Sequence, residues 1–211
     1  MKLDKRLFMV ASMVLPCDVL ADIGTDHAYV PVYLIENNIV KKAYAGDVRV
    51  GPLNNAKKTV EREGLSEKII PILSDGLKEI PHDAKNFVIA GMGGELIAKI
   101  LADSPWVEEV GNHFVLQPQT HPEDLREYLF QNGYEIIRED VVRDGRHLYI
   151  ALEVVFTGEQ KNFEKIDCYL GELLNSKSEY KLEYLEQVIK RLEKHREKDE
   201  ELLEKFKEAI V

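Results

Sequence analysis

Short apolar segments alternate with helical segments along the chain, and this alternation constrains the fold more than any other feature. The segments between the apolar ones, such as 52–63 and 95–101, place apolar residues at helical spacing. The predicted strands lie at 19–23, 43–45, 69–73, 87–90 and 114–116. Strands that are apolar on both faces are typical of a parallel sheet covered on both sides, because each parallel crossover needs a helix to bring the chain back. The sequence therefore predicts an α/β fold.

The last two predicted strands differ from the others because no helix separates them. They lie at 134–142 and 148–156, and the turn between them at 143–145 contains Gly145. An antiparallel pair that closes a parallel sheet is typical of the seven-stranded, Rossmann-like sheet of class I methyltransferases, and not of the six-stranded dinucleotide-binding fold. A helix predicted over 3–14, which Pro16 ends, precedes the first strand.

The C-terminal segment has a different pattern, with no strand beyond Gly158 and neither Gly nor Pro after Gly171. Spacings of three and four residues predict a coiled-coil seam with two polar members. The seam consists of Leu185, Val188, Leu192, His195, Asp199, Leu202, Phe206 and Ala209. Two helices that turn near the polar members and one continuous helix both fit. We predict a methyltransferase domain over 1–157 and a helical coiled-coil domain over 158–211, through which the chain could self-associate.

Composition narrows the class of protein. No apolar run reaches the roughly 18 residues needed to span a bilayer, so we predict neither a membrane span nor a signal peptide. Cys17 and Cys168 are far apart, and the six histidines form no pair at metal-ligand spacing, so we expect no metal and a cytoplasmic protein. The formal net charge of −10 argues mildly against a nucleic acid substrate, although local basic clusters exist.

The first predicted strand leads into the residues Asp22-Ile23-Gly24-Thr25-Asp26-His27-Ala28-Tyr29 and then a helix. In an open α/β sheet, ligands bind beyond the carboxyl ends of the strands, and a glycine there lets the backbone approach a ligand. A dinucleotide fingerprint would need glycines where Asp26 and Tyr29 stand, and a carboxylate would repel a pyrophosphate. Asp22 and Asp26 beside Gly24 instead suit a ligand with ammonium, sulfonium and hydroxyl groups, as S-adenosylmethionine has.

Each of the next three strands also ends in a candidate cofactor residue. Asp47 follows Asp22 by 25 residues, the place of an acidic residue that accepts hydrogen bonds from an adenosyl ribose. Asp75 and Gly76 follow the third strand, near the expected adenine position. The fourth strand leads into Gly91-Met92-Gly93-Gly94, on the path to the methyl group. An Asp after a strand is often only a helix N-cap and a Gly pair only a turn, but four such signals in order favour cofactor binding.

The strings ADIGTDHAYVP, YAGDVRVGP, SDGL, IAGMGG and LQP occur in this order within residues 1–157. With them the chain resembles the bacterial tRNA (adenine-22-N1)-methyltransferase family, the TrmK family, whose members carry a C-terminal coiled coil. The family usually has Glu where this chain has Asp47, and Asn where it has Gln119. The first difference keeps the carboxylate but shortens its reach, and the second concerns the substrate side of the pocket.

The resemblance implies methyl transfer from S-adenosyl-L-methionine to N1 of an adenine in the D-arm region of tRNA, with the tail on the tRNA body. It implies that Asp26 stabilises the charge on the adenine or binds the methionine ammonium, that Tyr29 receives the base, and that His27 bonds either ligand. The implied cofactor-binding residues are Asp22, Gly24, Asp26, His27, Asp47, Val48, Asp75, Gly76, Gly91 and Met92. The implied substrate-binding residues are Tyr29, Gly93, Gly94, Gln117, Pro118 and Arg126.

Several alternatives to these assignments remain open. Asp26 could simply cap the following helix, and Pro118 could simply end a strand. Arg126, on a predicted helix, is suited either to a phosphate contact or to a surface salt bridge. The acceptor of the methyl group could be a small molecule or a protein, and a non-catalytic nucleotide-binding module that works through its coiled coil is a further alternative.

Overall fold

The computed structural model describes residues 1–194 and 199–210. Within them, strands and helices follow one another in the predicted order. The strands are β1 (Cys17–Ile23), β2 (Val40–Asp47), β3 (Ile69–Leu73), β4 (Asn86–Met92), β5 (His113–Pro118), β6 (Tyr134–Asp144) and β7 (His147–Phe156). The helices are α1 (Lys5–Met13), α2 (Tyr29–Glu36), α3 (Val50–Arg62), α4 (Gly94–Ala102), α5 (Pro122–Gln131), α6 (Lys165–Leu170), α7 (Lys181–Lys194) and α8 (Glu200–Ala209), with short 3-10 helices at Pro105–Val107 and Leu173–Asn175.

The strands form one seven-stranded sheet in the order β3-β2-β1-β4-β5-β7-β6. β1 to β5 are parallel, whereas β7 is antiparallel to both β5 and β6. The predicted Rossmann-like sheet with an antiparallel end is therefore confirmed. From β1 the chain proceeds to β2 and β3 on one side and returns to place β4 on the other side, so β1 borders the point where the strand order reverses.

The strand side chains alternate between two apolar cores. Phe87 and Phe114 face one core, and their chain neighbours Val88 and Val115 face the other. Helices α1, α2 and α3 cover the Val88 side, while α4, α5 and the C-terminal tail cover the Phe87 side. Burial on both faces explains why the parallel strands read as continuous apolar runs in the sequence.

The turn of the β6–β7 hairpin lies slightly later than predicted, at residues 145 and 146. Arg143 and Asp144 still belong to β6, because they pair with Leu148 and His147. Gly145 has a φ of +58°, and a positive φ at the first central residue is typical of the favoured two-residue hairpin turns. Among the helices of the described residues, none is long and apolar enough to cross a membrane.

The C-terminal tail packs on the Phe87 side of the sheet and shares its core. The tail side chains in that core are Cys168, Leu170, Leu173, Tyr184, Leu185, Val188 and Phe206. Helices α7 and α8 contact each other, and Asp199 is not helical but caps α8 by accepting a hydrogen bond from the Leu202 amide. One continuous helix is therefore excluded. His195 lies outside the described residues, and a coiled coil stays a prediction.

Most apolar members of the predicted seam that the structure describes lie in the chain's own core, while Ala209 is exposed. Leu185, Val188, Leu202 and Phe206 are all buried within the chain's own fold. The apolar residues at this spacing therefore pack against the core of the sheet and between α7 and α8. A truncation of the tail would expose this core, so point substitutions test the role of the tail more cleanly.

The prediction that Arg126 lies at the surface is wrong, because the tail covers the face of α5 on which Arg126 lies. Its side chain is 1% exposed and makes a bidentate ion pair with Glu139, with Nε and Nη2 donating at 2.7 and 2.9 Å. Nη1 donates to the carbonyl oxygen of Cys168 at 2.7 Å. Gly171 passes so close that a Cβ there would lie 2.4 Å from the Arg126 Nε atom. Arg126 thus joins α5, β6 and the tail, and its guanidinium is buried away from the surface where a phosphate could reach it.

Replacing Arg126 with Met is expected to lower the free energy of unfolding by about 3–5 kcal/mol, because Glu139 would remain buried without a partner. Replacing Glu139 with Leu in the same chain should recover part of this loss, since the unpaired charge is gone but the Cys168 carbonyl still lacks its donor. Denaturant unfolding of the wild type, both single variants and the double variant measures both effects. A loss below about 1 kcal/mol in Arg126→Met would show that the pair does not anchor the tail.

Candidate active site

The carboxyl ends of β1, β2 and β4 and the loop after β3 open into one cavity of about 580 Å³. This volume lies within the range of small-molecule sites, and the cavity lies at the point where the strand order reverses. The predicted residues that line it are Asp22, Gly24, Asp26, His27, Tyr29, Asp47, Val48, Asp75, Gly76, Gly91 and Met92. The parallel register thus brings all the predicted cofactor residues to one place.

The loop after β1 has a backbone that few sequences tolerate. The amides of Gly24 and Thr25 both donate to the carbonyl oxygen of Gly46 on β2, at 2.8 and 3.1 Å. Gly24 has a φ of +78°, and a Cβ there would lie 2.3 Å from the Met92 Cε atom. Asp26 and Ala28 also have positive φ, 22° and 55°, which costs conformational energy for residues other than glycine. Such strain is common at ligand-binding loops.

Asp22 lies one residue before the end of β1 and is a buried carboxylate with 6% of its surface exposed. Burial raises the pKa of Asp22 to about 6, and the nearby Asp47 adds to this rise, while the hydrogen bond from Thr25 opposes it. That bond runs from the Thr25 hydroxyl to Asp22 Oδ2 at 2.5 Å. A cation placed beside Asp22 would favour its ionised form, so the carboxylate is suited to a positively charged ligand.

Asp47 ends β2 and is also buried, at 5% exposure. One of its oxygens accepts a hydrogen bond from the Arg49 amide at 2.8 Å, and no ion pair to Asp47 occurs among residues 1–194 and 199–210. It therefore keeps acceptor capacity for hydroxyl groups of a ligand. Asp75 is exposed instead, and its 2.5 Å ion pair with Lys78 lowers the pKa of its carboxyl.

His27 and Tyr29 form an aromatic pair on the cavity wall. Their ring centroids are 5.0 Å apart and the rings are nearly parallel, with an interplanar angle of 9°. The Asp26 carboxylate lies 3.6 Å from the Nε2 atom of His27, and Tyr29 is 37% exposed. The site thus offers a flat aromatic surface beside a carboxylate, which suits an electron-poor or cationic heterocycle.

Helix α1 supplies lining residues that sequence reasoning missed. Asp4, Arg6 and Leu7 all line the cavity. Arg6 Nη1 donates to Gln117 Oε1 at 2.9 Å, and its guanidinium carbon lies 5.7 Å from the centroid of the Tyr149 ring. The helical pattern predicts α1 but not where it packs, so only the tertiary structure identifies this wall. The other unpredicted lining residues are Ile23, Thr25, Val30, Arg49, Ser74, Ala90, Leu96 and Ile100.

The predicted substrate residues other than Tyr29 do not line this cavity. A Cβ on Gly94 would lie 2.1 Å from the His121 carbonyl oxygen, so this glycine serves the packing of α4. A Cβ on Gly93 would lie 3.1 Å from the hydroxyl oxygen of Thr120. Gln117 is fully buried and accepts a hydrogen bond from Arg6. Pro118 lines a second, smaller cavity next to α7.

Glu95, His121 and Asp124 offer ligand atoms within 4.8 Å of one another, a group that sequence spacing did not predict. The His121 Nδ1 atom lies 3.5 Å from the Asp124 carboxylate, and their spacing of three residues at the start of α5 accounts for their proximity. Glu95 and His121 are exposed and Asp124 is half-buried. Exposed groups of this kind are weak metal sites, and we assign them no role.

Comparison with known proteins agrees with this geometry. A family model described as a methyltransferase domain matches residues 3–152. The tRNA (adenine(22)-N(1))-methyltransferase of Bacillus subtilis is 35% identical over 175 residues, which cover 82% of this chain and 74% of the relative. The sheet order, the turn after β1 and these matches define a Rossmann-like methyltransferase. The chain belongs to the tRNA (adenine(22)-N(1))-methyltransferase family.

Solved structures extend the similarity to the tail. Streptococcus pneumoniae Sp1610 in complex with S-adenosyl-L-methionine is 33% identical with a TM-score of 0.88, and 100% of each chain is covered. TrmK of M. capricolum in complex with S-adenosyl-homocysteine is 30% identical with a TM-score of 0.78, covering 99% of this chain and 94% of that one. The B. subtilis m1A22 tRNA methyltransferase TrmK is 28% identical with a TM-score of 0.78, covering 99% and 96%.

The raised pKa of Asp22 predicts how stability without a ligand depends on pH. The folded state binds the Asp22 proton more tightly than the unfolded chain, so this contribution is full below pH 3.8 and is lost as the pH rises through about 6. An Asn at this position never ionises. The stability of Asp22→Asn relative to wild type should therefore rise by up to about 3 kcal/mol between pH 4 and 7.

Denaturant unfolding at a series of pH values, without ligand, measures this difference. Asp18→Asn is the matched control, because Asp18 lies on the same strand but is exposed and pairs with Lys41. A pH-independent difference between Asp22→Asn and wild type would contradict the assignment of Asp22 as a buried carboxyl with a raised pKa.

Proposed function

We propose that this protein methylates N1 of adenine 22 in tRNA, using S-adenosyl-L-methionine as the methyl donor. The observation that carries the proposal is the single cavity in which the buried carboxylates Asp22 and Asp47 and the glycine turn at Gly24 meet. The tRNA-modifying relatives favour tRNA over a small-molecule or protein acceptor, and the built cofactor cavity favours an enzyme over a non-catalytic module.

The residues of the cavity fit this cofactor. In this proposal Asp47 accepts hydrogen bonds from the ribose hydroxyls, Val48 lies against the adenine ring, and Asp75 and Gly76 line the cavity beyond it. Asp22 and the backbone at Gly24 suit the methionine end, where the ammonium group would favour ionised Asp22. Gly91 and Met92, on the opposite wall, border the path from the cofactor to the base.

The reaction needs little acid–base chemistry from the protein. The cofactor supplies a sulfonium methyl group, which the lone pair of adenine N1 attacks as the bond from sulfur to that methyl breaks. N1 carries no proton to remove at neutral pH, so the protein contributes mainly by orienting the base. The adenine ring becomes cationic as it gains the methyl group. Asp26, on the cavity wall, is our candidate for stabilising that charge.

A paired adenine must leave its stack before N1 can react, and aromatic side chains commonly receive such a base. We assign this role to Tyr29, whose ring is partly exposed and is held flat by stacking on His27. The pair keeps a planar surface ready before the base arrives, which lowers the entropy lost on binding.

A tRNA substrate implies a role for the tail and a location in the cell. We propose that residues 158–211 form a helical extension that contacts the tRNA body, with exposed basic residues such as Lys194 on α7 available to phosphates. Residues 1–157 then form the catalytic part. Cytoplasmic location suits a tRNA enzyme and the two free cysteines, Cys17 and Cys168.

Replacing Asp47 with Ala should weaken S-adenosyl-L-methionine binding at least about a hundredfold, because hydrogen bonds to a charged acceptor contribute about 1.5–3 kcal/mol each. Calorimetry measures the binding, and labelled cofactor with unmodified tRNA measures incorporation. Asp18→Ala is the control that removes an exposed carboxylate from the neighbouring strand β1. If Asp47→Ala binds the cofactor as the wild type does, the cofactor site is misplaced.

Replacing Tyr29 with Ala should lower methylation of tRNA about tenfold or more and leave cofactor affinity unchanged, because one base–aromatic stack contributes about 1–3 kcal/mol. Tyr29→Phe keeps the ring and should stay close to wild type. Tyr33→Ala controls for the loss of an aromatic ring one turn later on α2, where Tyr33 packs against Phe8. Full activity of Tyr29→Ala would show that Tyr29 does not receive the base.

A further inference from the structure

A second cavity of about 200 Å³ lies between the loop that follows β5 and helix α7. Its walls include Pro118 and Gln119 on the β5 side and Gln187 and Arg191 on the α7 side. It therefore exists only because the tail packs against the catalytic part. Its volume is about a third of that of the first cavity, which suits one nucleobase and not a second cofactor.

Residues that line the first cavity contact residues that line the second, at Arg6 and Tyr149 and at Met92 and Gln119. Arg6 lines the first cavity and Tyr149 lines the second. The Arg6 guanidinium carbon lies 5.7 Å from the centroid of the Tyr149 ring, and Gln117 accepts a hydrogen bond from the same guanidinium. A chain of nucleotides that places one base in the first cavity would place a neighbouring nucleotide near the second.

The groups that line the second cavity are those that recognise a nucleotide. Gln119 and Gln187 carry side-chain amides, which both donate and accept and so can pair with a base edge. Gln119 is held in place, since its backbone amide donates to Met92 and its side chain donates to Gln117. Tyr149 adds an aromatic ring on which a base can stack.

Arg191 supplies a cation that the protein itself uses only loosely. Among the described residues its sole ion-pair partner is Glu123, with 3.7 Å between Arg191 Nη2 and Glu123 Oε2, and Arg191 makes no hydrogen bond to any of them. A buried oxygen of Glu123 likewise has no hydrogen-bond partner there. The guanidinium donors are therefore available to a phosphate, with which arginine makes bidentate bonds.

We propose that the second cavity binds a nucleotide that flanks adenine 22 in the tRNA, with its base against Gln119 and Gln187 and its phosphate at Arg191. This inference rests on the proposed function. It gives the tail a specific task, because α7 then completes a nucleotide site instead of adding only general charge. It also explains how a chain with a net charge of −10 holds an RNA, through a few placed donors and not through bulk attraction.

The test compares Arg191→Ala with Lys190→Ala in steady-state methylation of a tRNA transcript. Both remove one positive charge from an exposed position of α7, but Lys190 does not line the cavity. Arg191→Ala should raise the KM for tRNA about tenfold, with kcat and cofactor affinity unchanged, whereas Lys190→Ala should change it less than about twofold. Thermal unfolding of both variants checks that loss of the Glu123 contact has not loosened α7.

Gln187→Ala provides a second variant whose folding is not in question, since Gln187 makes no hydrogen bond within the described residues. Two transcripts are compared, one with an abasic nucleotide before adenine 22 and one with an abasic nucleotide after it. The transcript that lacks the base bound in the second cavity should raise the KM of the wild type, and it should raise the KM of Gln187→Ala by a smaller factor. Equal effects of Arg191→Ala and Lys190→Ala, or full additivity for Gln187→Ala with both abasic transcripts, would overturn the inference. If the wild type does not methylate adenine 22 at all, the proposed function fails instead.

Discussion

The structure depends on the reversal of strand order at β1. Because β2 and β4 lie on either side of β1, their carboxyl ends diverge into connections on opposite faces of the sheet, and a cavity opens between them. The carbonyl oxygen of Gly46 on β2 accepts both the Gly24 and Thr25 amides, which fixes the turn after β1 against its neighbour. Everything that we assign to cofactor binding follows from this junction: the buried Asp22 and Asp47, the close approach at Gly24 and the opposite wall at Met92.

The site and the tail use buried charge in opposite ways. Asp22 has no ion-pair partner among the residues that the structure describes, and burial raises the pKa of its carboxyl, so an ionised Asp22 lowers the stability of the ligand-free protein at neutral pH. The positive φ values of Asp26 and Ala28 add local strain at the same loop. Arg126 and Glu139, in contrast, form a buried ion pair in the core, and Arg126 also donates to the Cys168 carbonyl oxygen, which connects the tail to α5 and β6. A ligand can compensate the first arrangement, whereas the second is complete without one.

Local signals in the sequence predicted the sheet and the cofactor cavity because both depend on residues near strand ends. Apolar runs locate the strands, and a carboxylate or glycine directly after each run must lie at the shared edge of a parallel sheet, as Asp22, Gly24 and Asp47 do. Residues on helices were placed less well. The pattern around Arg126 predicts α5 but not that the tail covers its face, and the periodicity of 185–206 predicts helices but not that they pack on the sheet. Arg6 and Gln117 depend on where α1 packs, a long-range contact that no local spacing encodes.

The central claim is that the carboxylates at the ends of β1 and β2 form one cradle for S-adenosyl-L-methionine. A crystal structure of the full chain with this cofactor tests it most directly. The account predicts the ribose hydroxyls at the Asp47 carboxylate, the methionine end beside Asp22 and Gly24, and the methyl group directed toward Tyr29. Cofactor density elsewhere, or at this site with the ribose away from Asp47, would contradict it.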